Sequence, residues 1–397
     1  MSPTGKPGRE QKMRAIGVPD ELWDEADEVA KLVRLLILGS HGIPESWFCH
    51  SQDTEILTDH GWMSFPEFEK ENGGIMVATI NLKSGSIEFQ SPVQKMEYEY
   101  QGDMILIENR NIDCLVTPNH RMISKSTKGW RKKSVDWRFE RADEITRART
   151  HLYGPSLTSW SGRKYHTVKI GGRNFDAKVF FNFIGWFVTE GWVSRKGKEK
   201  KVGYFIAIAQ NPGPKADEIA SCLDALGVKW TVNVRHGQGK YSDHKNLCFR
   251  FCDREIWSWI HEHIGFGSEN KVLPRFMLDA DVSLLSILFE AMIDGDGSRM
   301  HGKKRTSKTY YSKSKLLSDQ MQELALKLGY NAQVGFIGRD SLYAVYICRR
   351  FCVTVKRGYL SKKKYDGKVY CARIPNGTLV TRRNGKLCIS GNSDGGD

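Results

Sequence analysis

Three short stretches carry residue types that could act on a peptide bond. The first is Cys49–Trp62, CHSQDTEILTDHGW, in which a cysteine stands at a boundary. It follows Trp47-Phe48 and precedes the polar turn Ser51-Gln52-Asp53-Thr54. The second is Thr117-Pro118-Asn119-His120, just past a strand-like run. The third is Lys386–Ser393, KLCISGNS, where an Asn-Ser pair follows a short strand and a glycine. A free cysteine has a pKa of about 8.5 and is only slightly ionised at neutral pH, so a base or a distorted bond must help it attack. His120 follows Thr117 by three residues, which lets both side chains face one point. A turn cysteine, a turn histidine or an Asn-Ser dipeptide means little alone. If the two ends of the chain meet, the Phe48–Cys49 and Asn392–Ser393 bonds share one site.

In that order the motifs resemble those of inteins. The resemblance implies that Thr117 and His120 bind and polarise the first scissile amide. It also implies a sequence of steps that needs no cofactor, because bonds are exchanged and geometry supplies proximity. Cys49 attacks the Phe48 carbonyl, Ser393 attacks the resulting thioester, and Asn392 cyclises and releases the insert. Two positions depart from the pattern: Gly391 stands where a histidine usually assists cyclisation, and Cys371 follows Val369-Tyr370 where an aspartate is usual. Cys371 could serve as an acid or relay, or as an inert strand residue.

The elements that must position these residues read as two textures. Over 49–150 short runs such as Met76–Ile80, Ser86–Phe89, Met104–Ile107 and Cys114–Thr117 alternate with Gly, Asn and Asp turns, a β signature. Strand candidates return after Thr354, at Lys368–Ile374, Leu379–Arg382 and Leu387–Ser390. From Asp176 the pattern becomes α/β and repeats. FIGWFVTEG (Phe183–Gly191) matches FEAMIDGDG (Phe289–Gly297), Ala216–Gly227 matches Leu316–Gly329, and Leu247–Cys252 is echoed by Ile347–Cys352. The duplicated unit is therefore expected to be inserted into the β domain.

FIGWFVTEG and FEAMIDGDG resemble the paired motifs of LAGLIDADG homing endonucleases. Small residues, Gly185 and Ala291, would let two helices pack closely. Gly191 and Gly297 would end each helix in a left-handed cap, and Glu190 and Asp296 would converge at the base. Two carboxylates suit Mg²⁺, which serves phosphodiester cleavage. Asp294 has Val188 as its counterpart and is not expected to be a symmetric ligand. Lys271 resembles the basic residue that assists near the scissile phosphate; an exposed lysine before a proline turn is the other reading. Cys248-x₃-Cys252 and Cys348-x₃-Cys352 lie in strand-like runs and make poor zinc knuckles.

The chain has 397 residues, room for two or three domains. Its formal net charge of +14 suggests a polyanion partner or a set of solvated basic loops. The clusters lie at Lys125–Lys133, Arg195–Lys201 and Lys303–Lys308. Nine scattered cysteines fit a reducing cytoplasm. Met1–Gln11 is too polar for a signal peptide, and Val29–Leu38 is too short and charged to span a membrane.

The fold class expected is a mainly-β Hint horseshoe plus an α/β duplicated LAGLIDADG unit with pseudo-twofold symmetry. The expected boundaries are 1–48 host flank, 49–150 first β part, 151–175 linker, 176–353 endonuclease, 354–392 second β part and 393–397 second flank. The resemblance implies a self-splicing insert carrying a monomeric, Mg²⁺-dependent nuclease for double-stranded DNA, namely the allele of the host gene that lacks the insert. The joined flanks resemble a phage portal protein segment, and the short second flank suggests a truncated gene product. The alternatives are a DNA-binding module on a degenerate scaffold and a free-standing homing endonuclease.

Overall fold

The structure is a computed structural model that describes residues 48–126, 137–145, 149–194, 203–236, 245–301, 306–349 and 352–393. The expected host flank before Phe48, the residues after Ser393 and most of the three basic clusters lie outside the described residues.

The two β-rich stretches build one domain from both ends of the chain. Gln94–Glu108 and Leu360–Arg373 pair antiparallel from Leu360↔Ile107 to Arg373↔Gln94. With His50–Ser51 and Asp113–Val116 they close a four-stranded barrel. The short opening strand is held on both sides, at His50↔Tyr370 and His50↔Val116. The run Met104–Ile107 is thus only the buried end of a much longer strand, whose outer half alternates between exposed and partly buried positions. Lys386–Gly391 pairs with Thr378–Arg383, and this hairpin delivers Asn392 to the barrel.

The middle of the chain forms two α/β repeats. The helix Ala177–Glu190 starts at an Asp176 cap and the helix Val282–Asp296 at an Asp281 cap, each carboxylate accepting two backbone N–H groups. Both helices are apolar around most of their circumference because they pack on each other and on the flanking sheets. A Cβ on Gly185 would lie 2.6 Å from the Cβ of Ala291, and one on Gly295 would lie 2.1 Å from Thr189 Oγ1. The small residues therefore set the helix spacing. Each helix is followed by four strands with the same pairing order. Together these parts form a Hint-type horseshoe and a duplicated LAGLIDADG-type unit with pseudo-twofold symmetry.

Three local expectations are corrected. Gly191 and Gly297 are extended rather than left-handed, with φ of −97° and −112°. Glycine is required there by space: a Cβ would come within 2.4 Å of the Phe187 ring or 2.5 Å of the Ile293 carbonyl oxygen. Cys348 and Cys352 do not share a strand, because Leu342–Cys348 ends before Cys352–Lys356 begins. The register also moves the third sequence match by four residues. Gly191↔Ile208↔Phe249 corresponds to Gly297↔Tyr310↔Val345, so Cys252 is equivalent to Cys348.

The stretch 151–175 carries strands at both ends. Arg149–Tyr153 pairs with Cys352–Lys356 and with Arg121–Ser126, while the hairpin Thr167–Ile170/Arg173–Asp176 packs into the core of the repeats. The β domain and the second repeat also share a sheet edge at Gln333↔Lys386. No helix among the described residues is long and apolar enough to cross a membrane.

Candidate functional sites

At the first junction Cys49 is fully buried, and its amide donates to Thr117 Oγ1 at 3.2 Å. The Thr117 amide returns a bond to the Cys49 carbonyl at 3.0 Å. Thr117, just past the strand ending at Val116, therefore holds Cys49 through both backbone groups. Ser393 Oγ accepts from the Phe48 amide at 3.0 Å, so two residues 345 positions apart touch. Asn392 is 1% exposed; its side-chain amide donates to the Ile374 carbonyl at 2.7 Å and its backbone amide to Gly377 at 3.1 Å. These bonds fix both the side chain and the backbone of Asn392.

His120 is buried beside this junction, with Nε2 3.0 Å from Ser390 Oγ. Burial holds its pKa well below the ordinary value, the neighbouring His50 pushes the same way, and the Phe48 backbone acts against both. Burial raises the Cys49 thiol, and Cys371 raises it further, with the two sulfurs 3.2 Å apart. Both shifts favour the neutral forms, a thiol at Cys49 and an imidazole at His120.

Sequence reasoning missed three features here. Ser390 lies two residues before Asn392, on the strand Lys386–Gly391 that leads to it, a spacing that could have flagged it. His50 is fully buried, stacked on Phe65 with its ring 4.4 Å from that of His120, and burial lowers its pKa to about 3. The third is the packing around Gly391. A Cβ there would lie 2.8 Å from Arg121 Cβ and 3.1 Å from the Phe139 ring. The space a histidine side chain would need is filled.

At the second site Glu190 and Asp296 end the paired helices. Burial raises both carboxyls, and Asp296 raises Glu190 further. Lys271 is buried, not exposed before its proline. Its ammonium donates to the carbonyls of Phe187, Val188 and Gly191 at 3.0, 3.1 and 2.7 Å. It thus closes the C-terminal end of the first helix, where the helix dipole favours a cation. Burial lowers its pKa to about 8, and the two acids oppose that shift. Asp294 pairs with Arg299 and is engaged elsewhere.

A divalent cation fits the donor set, since two desolvated carboxylates that repel one another would both gain from it. No group of three or more His, Cys, Asp or Glu suited to a metal occurs among the described residues. Magnesium commonly takes one or two carboxylates and completes its shell with water and substrate phosphate. Across the sheet of each repeat, the face away from the helices presents a row of side chains: Trp192, Ala207, Arg250 and Thr231 in the first, Ser298, Thr309, Tyr346 and Gln333 in the second.

No family model matches the chain. Three curated proteins are similar over most of it. A DNA-directed RNA polymerase subunit beta C-terminal section from Stigeoclonium helveticum is 24% identical over 89% of this chain and 37% of its own length. An ATP-dependent Clp protease proteolytic subunit from Chlamydomonas moewusii is 21% identical over 76% and 30%. A ribonucleoside-diphosphate reductase subunit beta from Aquifex aeolicus is 20% identical over 87% and 50%. The chain thus spans between about a third and a half of these relatives. Among solved structures, I-DmoI in complex with DNA and Mn aligns at 15% identity with a TM-score of 0.30, covering 43% of this chain and 89% of that one. A splice-inactive variant of the AceL NrdHF class 3 split intein aligns at 7% identity with a TM-score of 0.30, covering 87% and 98%.

Proposed function

We propose that the chain is a self-splicing insert that excises Cys49–Asn392, joins its flanks, and carries a site-specific DNA endonuclease. The observation that carries the reading is the bond between the Phe48 amide and Ser393 Oγ at 3.0 Å, made beside the buried Cys49 and Asn392. An ordinary enzyme has no use for two distant backbone junctions in one closed site. The relatives add support, because a polymerase subunit, a protease subunit and a reductase subunit share this stretch but not their activities. A shared insert in different hosts would account for that.

In the first step the Cys49 thiol proton passes to His120 as sulfur bonds to the Phe48 carbonyl carbon. The C–N bond then breaks, and the Cys49 nitrogen, held by Thr117, takes that proton. In the second, Ser393 Oγ attacks the thioester carbonyl and the Cys49 thiol is regenerated. In the third, the Asn392 side-chain nitrogen attacks its own carbonyl carbon, the bond to Ser393 nitrogen breaks, and a succinimide remains on the insert. The flank ester then moves to the freed amine as an amide. Cys371, in contact with the Cys49 sulfur, is placed to share its proton. Gly391 leaves the third step without an adjacent imidazole, so it is the slow one.

Glu190 and Asp296 would hold Mg²⁺, which supplies Lewis acidity to a phosphodiester when bound. Lys271 anchors the helix end that carries Glu190. Double-stranded DNA is the partner, and the host flanks are the substrate in cis. Expression with longer reporter flanks tests the splicing reading by intact mass. Ligated flanks and an excised species are expected, and a stable unspliced chain under reducing conditions would overturn it. Mg²⁺-dependent nicking of the insert-free host gene tests the nuclease.

A further inference from the structure

We infer that the β domain supplies part of the DNA-binding surface, through the turn Asn109–Ile112; the inference rests on DNA being the partner of the repeats. The turn joins two barrel strands and has no part in the splicing site. Yet Arg110 and Asn111 line a groove of about 960 Å³ together with side chains from all four strands of the second repeat. Those side chains include Ser298, Thr309, Tyr346 and Gln333, the row on the face away from the motif helix. The adjacent row, Gly297, Tyr310, Val345 and Val334, faces inward, and its three side chains are buried. The groove is therefore the open face of the repeat, closed at one end by the other domain.

The turn is built to stay in place. The Asn109 amide donates to the Ile112 carbonyl at 2.9 Å, and the Asn111 amide to Asn109 Oδ1 at 2.7 Å. Asn109 Nδ2 donates to the Thr354 carbonyl at 3.2 Å, and its own carbonyl accepts from Lys386 Nζ at 2.9 Å. Lys386 is the residue at which the hairpin carrying Asn392 pairs with Gln333 of the repeat. One lysine thus ties the turn to the shared sheet edge.

The charge also points to a phosphate backbone. Arg299 and Lys308 of the second repeat are ion-paired to Glu290, which engages these two cations internally. Arg110 is exposed and makes no ion pair among the described residues, and the exposed Arg349 lies over the Tyr330 ring at 5.0 Å on the same groove. An exposed arginine on a rigid turn, continuous with a sheet face of hydroxyl, amide and aromatic side chains, suits a phosphate contact that positions a duplex without reading its sequence. The bound duplex would then extend past the repeat and lie against the β domain.

The test uses the full chain carrying Glu190→Gln, so that the probe is not cut, and a long random-sequence DNA duplex titrated at several salt concentrations. Arg110→Ala is expected to lower the salt slope by about 1. The affinity ratio between parent and variant should then change about threefold between about 50 and 200 mM salt. Arg110→Lys should retain most of the affinity, and splicing yield should be unchanged in both variants. An unchanged slope in Arg110→Ala, with a reduced slope in Arg349→Ala, overturns the inference and leaves the nuclease reading intact. Tighter binding of an RNA duplex than of DNA overturns the choice of partner. No duplex binding by the parent chain removes the DNA reading and this inference together.

Discussion

The two sites differ in how they meet water. At the splicing junction Cys49, Thr117, His120, Asn392 and Ser393 are all at most 1% exposed. At the proposed nuclease centre Glu190 and Asp296 are desolvated enough to raise both carboxyls, yet each keeps part of its surface open to solvent. The proposed substrates account for the difference. A site that cuts its own backbone already holds its substrate when the chain folds, so it can be sealed and its groups kept neutral. A site for a separate duplex must leave its acids reachable and accept repulsion between them until a cation arrives. The sharpest way to break this comparison is to disable each site alone. Cys49→Ala should abolish the ligated product and leave nicking intact; Glu190→Gln should abolish nicking and leave ligation intact. Mass spectrometry and plasmid nicking read both. Loss of splicing in the Glu190 variant would mean that the two centres are not separate.

Separate chemistry does not imply separate stability. Arg382 is 1% exposed and its guanidinium bonds Glu55 twice at 2.6 Å, Asp319 at 2.6 Å and Gln322 at 2.8 Å. Glu55 belongs to the β domain and Asp319 to a helix of the second repeat. Replacing Arg382 by Met strands two carboxylates at a buried seam, which costs about 3–5 kcal/mol. Arg382→Met should lower the melting temperature and reduce splicing and nicking together. A variant that loses only nicking would show that the β domain stands without the repeat.

How much of this was legible in the sequence follows the same division. The paired helices were readable because their information is local and doubled: Gly185 and Ala291 sit at one motif position, as do Glu190 and Asp296. The two junctions that meet at Phe48 and Ser393 were readable because their residue types are rare in combination. The packing between distant segments was not readable. His50 reads as one histidine on a short strand, and only the fold sets its ring against His120, 70 positions away. The role of Lys271 was hidden because its partners are backbone carbonyls, which leave no sequence signature. The echo of Leu247–Cys252 in Ile347–Cys352 misled by four residues, because repeated Cys and Phe residues can align out of register while strand pairing cannot.

Lys271 also gives the comparison a pH dependence. Its pKa falls from 10.5 to about 8 in the folded chain, mainly through burial. The native state therefore releases this proton near pH 8, while the unfolded chain holds it to about 10.4. Over that window the unfolded state binds more protons, so stability rises with pH; below it the cost of the buried ammonium is present in full. Unfolding of the parent chain and Lys271→Met, followed from pH 7 to about 10.5, should show the parent gaining relative to the variant as pH rises. A constant difference would place the lysine in water. The splicing unit should show no matching change with this substitution.

The smallest expected effect divides the splicing site itself. Ser390 Oγ lies 3.0 Å from His120 Nε2 and 3.4 Å from the Gly391 carbonyl oxygen, which its hydroxyl meets as a donor. A hydroxyl proton given to the carbonyl leaves the oxygen to accept from Nε2–H, and Nδ1 is then bare. Given to Nε2 instead, it leaves Nδ1 protonated. Ser390 is thus a positioning residue that decides which nitrogen of His120 can take the Cys49 proton. Ser390→Ala should slow thioester formation about tenfold, a barrier change of about 1.4 kcal/mol, read as thiol-induced cleavage after Phe48. Ser390→Thr should restore most of the rate, because it returns the hydroxyl, and nicking should be unaffected in both. Equal rates in Ser390→Ala and the parent, or no rescue by threonine, would leave His120 oriented by packing alone, with Phe48 and His50 as its remaining neighbours.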